Sequence, residues 1–273
     1  MDEKELQLKA NTIRRDIVKM IGAANSGHPG GSLSAVELLT YLYFEEMHID
    51  PAQPDMQDRD LFVLSKGHAA PVLYATLAER GFFAPEELMS LRKLGSMLQG
   101  HPDMRKVPGV DMSTGSLGTG ISAAVGMAMA KKLDKSERYV YALLGDGELE
   151  EGQVWEASMA AAHYKLSNLI AFVDHNGLQI DGRCADVMNV DPVDEKFAAF
   201  GWDVQVIDGH SYEAIAAAIK NAKAATSGKP QMVVMNTIKG KGVSFMEGQA
   251  GWHGKAPNAE QVAEALKELG EEA

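Results

Sequence analysis

Short, wholly apolar runs alternate along this chain with longer stretches in which apolar positions recur every three or four residues. Leu6, Ile13, Ile17, Met20 and Ile21 keep near-helical spacing, which predicts an amphipathic helix over 4–24. It ends before Asn25-Ser26-Gly27-His28-Pro29-Gly30-Gly31, a composition that reads as a loop. Ser34 is placed to cap a second helix through Glu37, Leu38 and Leu39, and 51–60 reads as a polar connection. The apolar runs predict strands at 61–64, 139–144, 169–173, 203–207 and 231–237. Between them the pattern predicts helices from about Pro71, from Pro85 to just before Gly100, and over 121–133. Further helices are expected at about 152–163, near 192–199 and over 211–225, with a short charged helix in the tail, 258–273.

Runs such as Leu169-Ile170-Ala171-Phe172-Val173 do not alternate apolar with polar residues, which is what strands covered on both faces require. The strand and helix order therefore predicts an α/β fold, a doubly wound and mainly parallel sheet with helices on both faces. At 273 residues and 45% hydrophobic content the chain can bury one large core, so 1–273 reads as a single domain. A formal net charge of −12 disfavours nucleic acid and anionic membrane surfaces as partners and leaves small molecules or proteins. No apolar segment approaches the ~20 residues that span a bilayer. One cysteine, Cys184, and an amino terminus without a signal-peptide pattern make the cytoplasm the expected compartment. Fifteen methionines read as core packing.

Candidate chemistry sits where the runs end. Gly145-Asp146-Gly147 closes one and Asn176 follows another, thirty positions after Asp146. Either motif alone is more often a turn. Two adjacent parallel strands, however, would bring an Asp and an Asn together at neighbouring carboxyl edges. A hard divalent cation such as Mg2+ takes oxygen ligands and fills the rest of its shell with phosphate and water, and the flanking glycines let phosphate approach backbone. Gly115-Ser116-Leu117-Gly118-Thr119-Gly120 precedes a helix of small residues whose amino end offers free N–H groups for a phosphate. His28, His68 and His101 lie in Gly-rich connections, and Lys239-Gly240-Lys241-Gly242 lacks the Ser or Thr of a phosphate loop and reads as a mobile lid or turn.

Taken together, Ser26-Gly27-His28-Pro29-Gly30, Ser65-Lys66-Gly67-His68, Gly100-His101-Pro102, Gly115 to Gly120, Gly145-Asp146-Gly147 through Asn176, and His253-Gly254-Lys255-Ala256-Pro257 resemble the amino-terminal, diphosphate-binding half of transketolase, in the thiamine diphosphate superfamily. Almost the whole chain takes part. The resemblance implies thiamine diphosphate and Mg2+ (or Ca2+ or Mn2+) as cofactors. Asp146, Asn176 and the carbonyl of Leu178 would bind the metal, and Gly147 and Asn176 would approach the diphosphate. His68, Gly115, Ser116 and Leu117 would contact the cofactor, His253 both cofactor and substrate, and His28 and His101 the sugar. Neutral imidazoles both donate and accept, which suits hydroxyl recognition and proton transfer. Glu151 and Glu156 would lie at a dimer interface. Ser116 stands where family members often have Pro.

The resemblance further implies ketol transfer between a ketose phosphate and an aldose phosphate. It also implies a second chain, because the family's pyrimidine-binding and carboxyl-terminal domains have no counterpart here, and with them goes the Glu that activates the aminopyrimidine. An α2β2 heterotetramer, inactive without its partner subunit, is the expected assembly. Competing readings are another split thiamine diphosphate enzyme, making deoxyxylulose phosphate or decarboxylating a 2-oxo acid, and a noncatalytic regulatory chain. A plain nucleotide-binding protein ranks last, since no G-x-G-x-x-G follows the first strand.

Overall fold

The computed structural model describes residues 1–271. Seven strands form: β1 Leu61–Leu64, β2 Val140–Gly145, β3 Leu169–His175, β4 Leu178–Gln179, β5 Gly182–Arg183, β6 Asp203–Asp208 and β7 Gln231–Asn236. Five of them make one parallel sheet in the order β1-β2-β3-β7-β6, and β4 pairs antiparallel with β5 in a separate hairpin. The α-helices are α1 Glu3–Ala24, α2 Pro29–Leu33, α3 Val36–Tyr41, α4 Ala70–Arg80, α5 Thr119–Leu133 and α6 Gly152–His163. They continue with α7 Cys184–Val187, α8 Val193–Ala199, α9 Tyr212–Ala224 and α10 Ala259–Glu268.

Both faces of the sheet are covered, as the unbroken apolar runs require. Tyr141, Leu143, Ile170, Phe172, Val233 and Met235 point to one side, where they pack with α1, α3, α4, α9 and α10. The residues between them in sequence, Ala142, Leu144, Ala171, Val173 and Val234, point to the other, against α5, α6 and α8. This is the doubly wound, parallel α/β arrangement read from the sequence. β6 is the less buried edge strand, and its ends carry Asp203 and Asp208. No helix among the described residues is long and apolar enough to cross a membrane.

Local signals set most boundaries. Asp2 caps α1 in a reciprocal box with Glu5, Ser211 caps α9, and Asn258 with Gln261 caps α10. The predicted tail helix thus stops at Glu268, and positions 272 and 273 lie outside the described residues. Four expectations need correction. The stretch 25–31, read as a loop, is one only as far as His28, because Pro29 opens α2. Ser34 does not cap α3, whose cap is Ala35; its hydroxyl donates to Asp174 instead. The segment from Pro85 is a 3-10 helix that ends at Ser90, because Arg92 and Gly95 take positive φ and the chain continues as turns towards Gly100. The methionines divide between core and surface: Met20, Met232, Met235 and Met246 are buried, whereas Met89, Met104, Met159 and Met188 are exposed.

The small residues of α5 have a packing reason. A Cβ on Gly120 would lie 2.6 Å from the Cα of Ser65, so the helix touches backbone at the end of β1. Gly120→Ala should therefore lower stability by about 1–3 kcal/mol through overpacking, outweighing the ~1 kcal/mol that Ala gains in helix propensity. Urea unfolding of the two proteins checks this; an equal or higher midpoint for the variant contradicts it.

Candidate active site

β2 and β3 run side by side in a register that sets Gly145 opposite Asp174, so the residues just beyond them meet at one sheet edge. Asp146 and Asn176 come together there as the spacing predicts. The Asp146 carboxylate accepts the N–H of Gly147 at 2.8 Å and that of Gly177 at 2.5 Å. Asn176 Oδ1 accepts from the N–H of Leu178 at 3.2 Å. Asp146 is 2% exposed, and among the described residues no Lys, Arg or His forms an ion pair with it. Burial, and then the neighbouring Asp174, push its pKa up. A buried carboxylate with amide partners but no counter-ion, beside an amide oxygen and a peptide carbonyl, fits a hard divalent cation. No group of three His, Cys, Asp or Glu that could hold a metal by themselves occurs among the described residues, so such an ion would complete its shell from the ligand and water.

These groups open into a cavity of about 270 Å³. Of the residues expected at the site, Asp146, Gly147, Asn176, Leu178, Leu117, His68 and His253 line it. His28 stands beside them, its ring centroid 5.2 Å from His68 and 5.4 Å from His253, while His68 and His253 are 5.0 Å apart. His101 and Gly115 belong to the adjoining surface and touch each other, since a Cβ on Gly115 would lie 3.0 Å from the His101 ring. Ser116 is exposed and outside the lining; its carbonyl accepts the Thr119 hydroxyl at 2.7 Å. Just before the amino end of α5, where a phosphate is expected, one backbone group is already engaged. The N–H of Gly118 is taken by Glu148 at 2.9 Å, and the same carboxylate binds Ser65 and, at 3.1 Å, the N–H of Gly145.

All four histidines are held neutral at pH 7. Burial lowers His68 to about 2, with help from Lys66, and lowers His253 to about 3, with help from Lys239. Burial and then the Arg92 guanidinium lower His28 to about 4, and the same two causes lower His101. Arg92 Nη2 reaches His28 Nδ1 at 3.5 Å, the long end of a hydrogen bond. A guanidinium only donates, so His28 accepts at Nδ1 and carries its proton on Nε2. His253 Nδ1 is buried with no hydrogen-bond partner, an orphan at the wall of the cavity.

Two features escaped the sequence. The β4–β5 hairpin brings Gln179 and Ile180 to the cavity wall; its local signal was the Asp181-Gly182 dipeptide, with Gly182 at φ +149°. Lys239, in the segment that reads as a mobile lid or turn, is 3% exposed and lines the cavity, with Nζ donating to the carbonyl of Leu178 at 3.2 Å. Lys66 is also in the wall but is already paired with Asp174 and donates to Gly31 O at 2.7 Å. The Gly-Lys composition around Lys239 was the available sign, and the absent Ser or Thr concealed it.

The sequence matches the family described as the transketolase thiamine diphosphate binding domain over residues 6–273. It is 49% identical to the 6-deoxy-6-sulfo-D-fructose transketolase subunit SqwG of Clostridium sp. (strain MSTE9), covering 98% of this chain and 97% of that one. It is 44% identical to an apulose-4-phosphate transketolase subunit of Phocaeicola vulgatus, over 99% of this chain and 96% of the relative. Human transketolase is 44% identical over 97% of this chain, which spans only 42% of the human protein. The crystal structure of Campylobacter jejuni transketolase superimposes with a TM-score of 0.93 at 35% identity, covering 99% of this chain and 43% of that one. The chain belongs to the transketolase family.

Because the pKa values of the site histidines are depressed on folding, these rings bind more protons in the unfolded chain than in the folded one between pH 6.5 and about 4. Their neutral burial therefore costs nothing above pH 6.5 and destabilises progressively below it. His68→Gln should lose less stability than wild type between pH 7.5 and 5, as thermal unfolding at the two values measures; parallel losses contradict the assignment.

Proposed function

We propose that this chain is the thiamine diphosphate-binding subunit of a split transketolase, which with a second chain transfers a two-carbon ketol unit from a ketose phosphate to an aldose phosphate. The observation that carries this reading is that relatives matched over nearly their whole length are themselves named transketolase subunits. The chain matches subunit relatives over 96–97% of their length but single-chain transketolase over only 42%. The cavity is open on one side, where a facing surface would cover the rest of the cofactor. That surface belongs to a partner subunit carrying the pyrimidine-binding and carboxyl-terminal domains, in an α2β2 assembly, and this chain supplies one diphosphate-binding domain. Glu151, just before α6, and Glu156 on α6 are exposed and would face that assembly. The buried thiol of Cys184 is compatible with a reducing cytoplasm.

Asp146, Asn176 and the Leu178 carbonyl would hold Mg2+, and Gly147, Asn176 and Lys239 the diphosphate. His68, Leu117 and the Gly115-Ser116 backbone would border the rings. When bound, thiamine diphosphate supplies the nucleophilic carbon and the electron sink for carbon–carbon cleavage. This chain's residues do the rest of the work on their side: they anchor, orient, exclude water and manage protons. His28 presents an Nε2–H donor to a sugar hydroxyl, and His253 keeps Nδ1 free for one more hydrogen bond. His101, at the adjoining surface, would face the same substrate. Lowered pKa values keep these rings neutral, able to accept a hydrogen bond as well as donate one. The two bacterial relatives bear the names of unlike sugars at 49% and 44% identity to this chain, which is consistent with sugar selection lying largely in the partner chain.

Titration calorimetry of thiamine diphosphate with Mg2+ tests the anchor. Asp146→Ala or a chelator should abolish binding, and retained affinity would displace the metal from Asp146. Ketol transfer should require the partner subunit; full turnover by this chain alone would refute the divided enzyme.

A further inference from the structure

One buried charge cluster lies outside the cavity and has no part in the site as described: Arg14 of α1, Glu37 of α3 and His210, just before α9. Their side chains are 2%, 4% and 13% exposed. Arg14 forms an ion pair with one Glu37 oxygen, and His210 Nδ1 lies 3.0 Å from the other. The direction of that bond is fixed by a second contact. The backbone N–H of Ile238 donates to His210 Nε2 at 2.8 Å, so the ring proton sits on Nδ1 and is donated to Glu37. Arg14 Nε in turn donates to the carbonyl of Lys241 at 3.0 Å.

The cluster thus grips both ends of the turn 238–241, and Lys239 lies between the two grips. The turn is further seated by Gly240 N–H on Gly30 O at 3.0 Å and by Gly248 N–H on Lys239 O at 2.9 Å. Fit is close at Gly242, where φ is +95° and a Cβ would lie 2.8 Å from Arg14 Cδ. A lysine stem is flexible, and its burial has to offset lost rotamer freedom. A fixed backbone on either side is what sets the ammonium reproducibly against Leu178 O at the cavity wall. The cluster tolerates dehydration because Arg14 and Glu37 cancel and every bond of the His210 ring is matched.

We propose that Arg14, Glu37 and His210 are positioning residues for Lys239, and that through the 238–241 turn they set the affinity of the site for the diphosphate end of the cofactor. The proposal rests on the diphosphate reading above. It is tested with His210→Asn, whose amide can still donate to Glu37 but offers Ile238 no acceptor at the Nε2 position. Calorimetric titration of thiamine diphosphate with Mg2+ into the full chain should show affinity reduced about tenfold. Lys239→Met and the double variant His210→Asn/Lys239→Met should bind equally weakly, since the histidine acts through the lysine. A merely structural role would give additive losses, and that result, or unchanged affinity in His210→Asn, overturns the proposal. Failure of the wild type itself to bind would instead overturn the cofactor reading. Should His210→Asn not fold, amide hydrogen exchange in the wild type decides: protection of Ile238 that deepens with cofactor supports the grip, and exchange as fast as in open turns overturns it.

Discussion

Asp146 is gripped by amide N–H groups from two successive strand ends, Gly147 after β2 and Gly177 after β3, and the geometry of the whole site follows from that grip. It ties the loops at one sheet edge to each other and leaves a carboxylate that is buried, unpaired by any described cation and open to the cavity. Such a group is unfavourable unless something positive arrives. Parallel pairing of β2 with β3 is what makes the arrangement possible, because it sends both chains out of the sheet at the same edge. Apolar burial on both faces fixes the strands, and the carboxylate fixes the loops.

The fold and this juxtaposition were legible because each rests on local pattern. Wholly apolar runs ending in Gly-Asp-Gly and Asn-Gly report covered parallel strands and their exits, and a crossover helix of ordinary length does the rest. What stayed hidden depends on contacts far apart in sequence. Lys239 is buried through bonds that reach its turn from Arg14 and His210, and nothing in Lys-Gly-Lys-Gly records them. Ser34 satisfies the capping pattern, but Asp174, on the distant strand β3, claims its hydroxyl. The β4–β5 hairpin is two residues a side, too short for alternation to register.

Glu148 changes how the anion end of the site must work. A glycine-rich loop before a helix ordinarily offers its N–H groups to phosphate. Here the Gly118 N–H, just before the helix, is engaged by a carboxylate that also holds Ser65 and Gly145, so three loops are locked together. The cavity wall then carries Asp146, Glu148, Glu150, Glu151 and Asp174 against Lys66 and Lys239. Lys66 is neutralised by Asp174, which leaves one ammonium against the remaining carboxylates. A bare diphosphate meets net repulsion in that wall.

A divalent ion held by Asp146, Asn176 and the Leu178 carbonyl would remove the conflict. It would lower the energy of ionised Asp146, whose pKa burial has raised, and offset the carboxylates of the wall. The Leu178 carbonyl accepts from Lys239, which keeps that ammonium at the cavity wall beside the groups that would hold the ion. The neutral histidines lie in and beside that cavity, where the proposed partner surface would seal them from water. A ligand anchored here by its charged end would leave its reactive end for another surface to enclose, which is physically consistent with the proposed division between two chains.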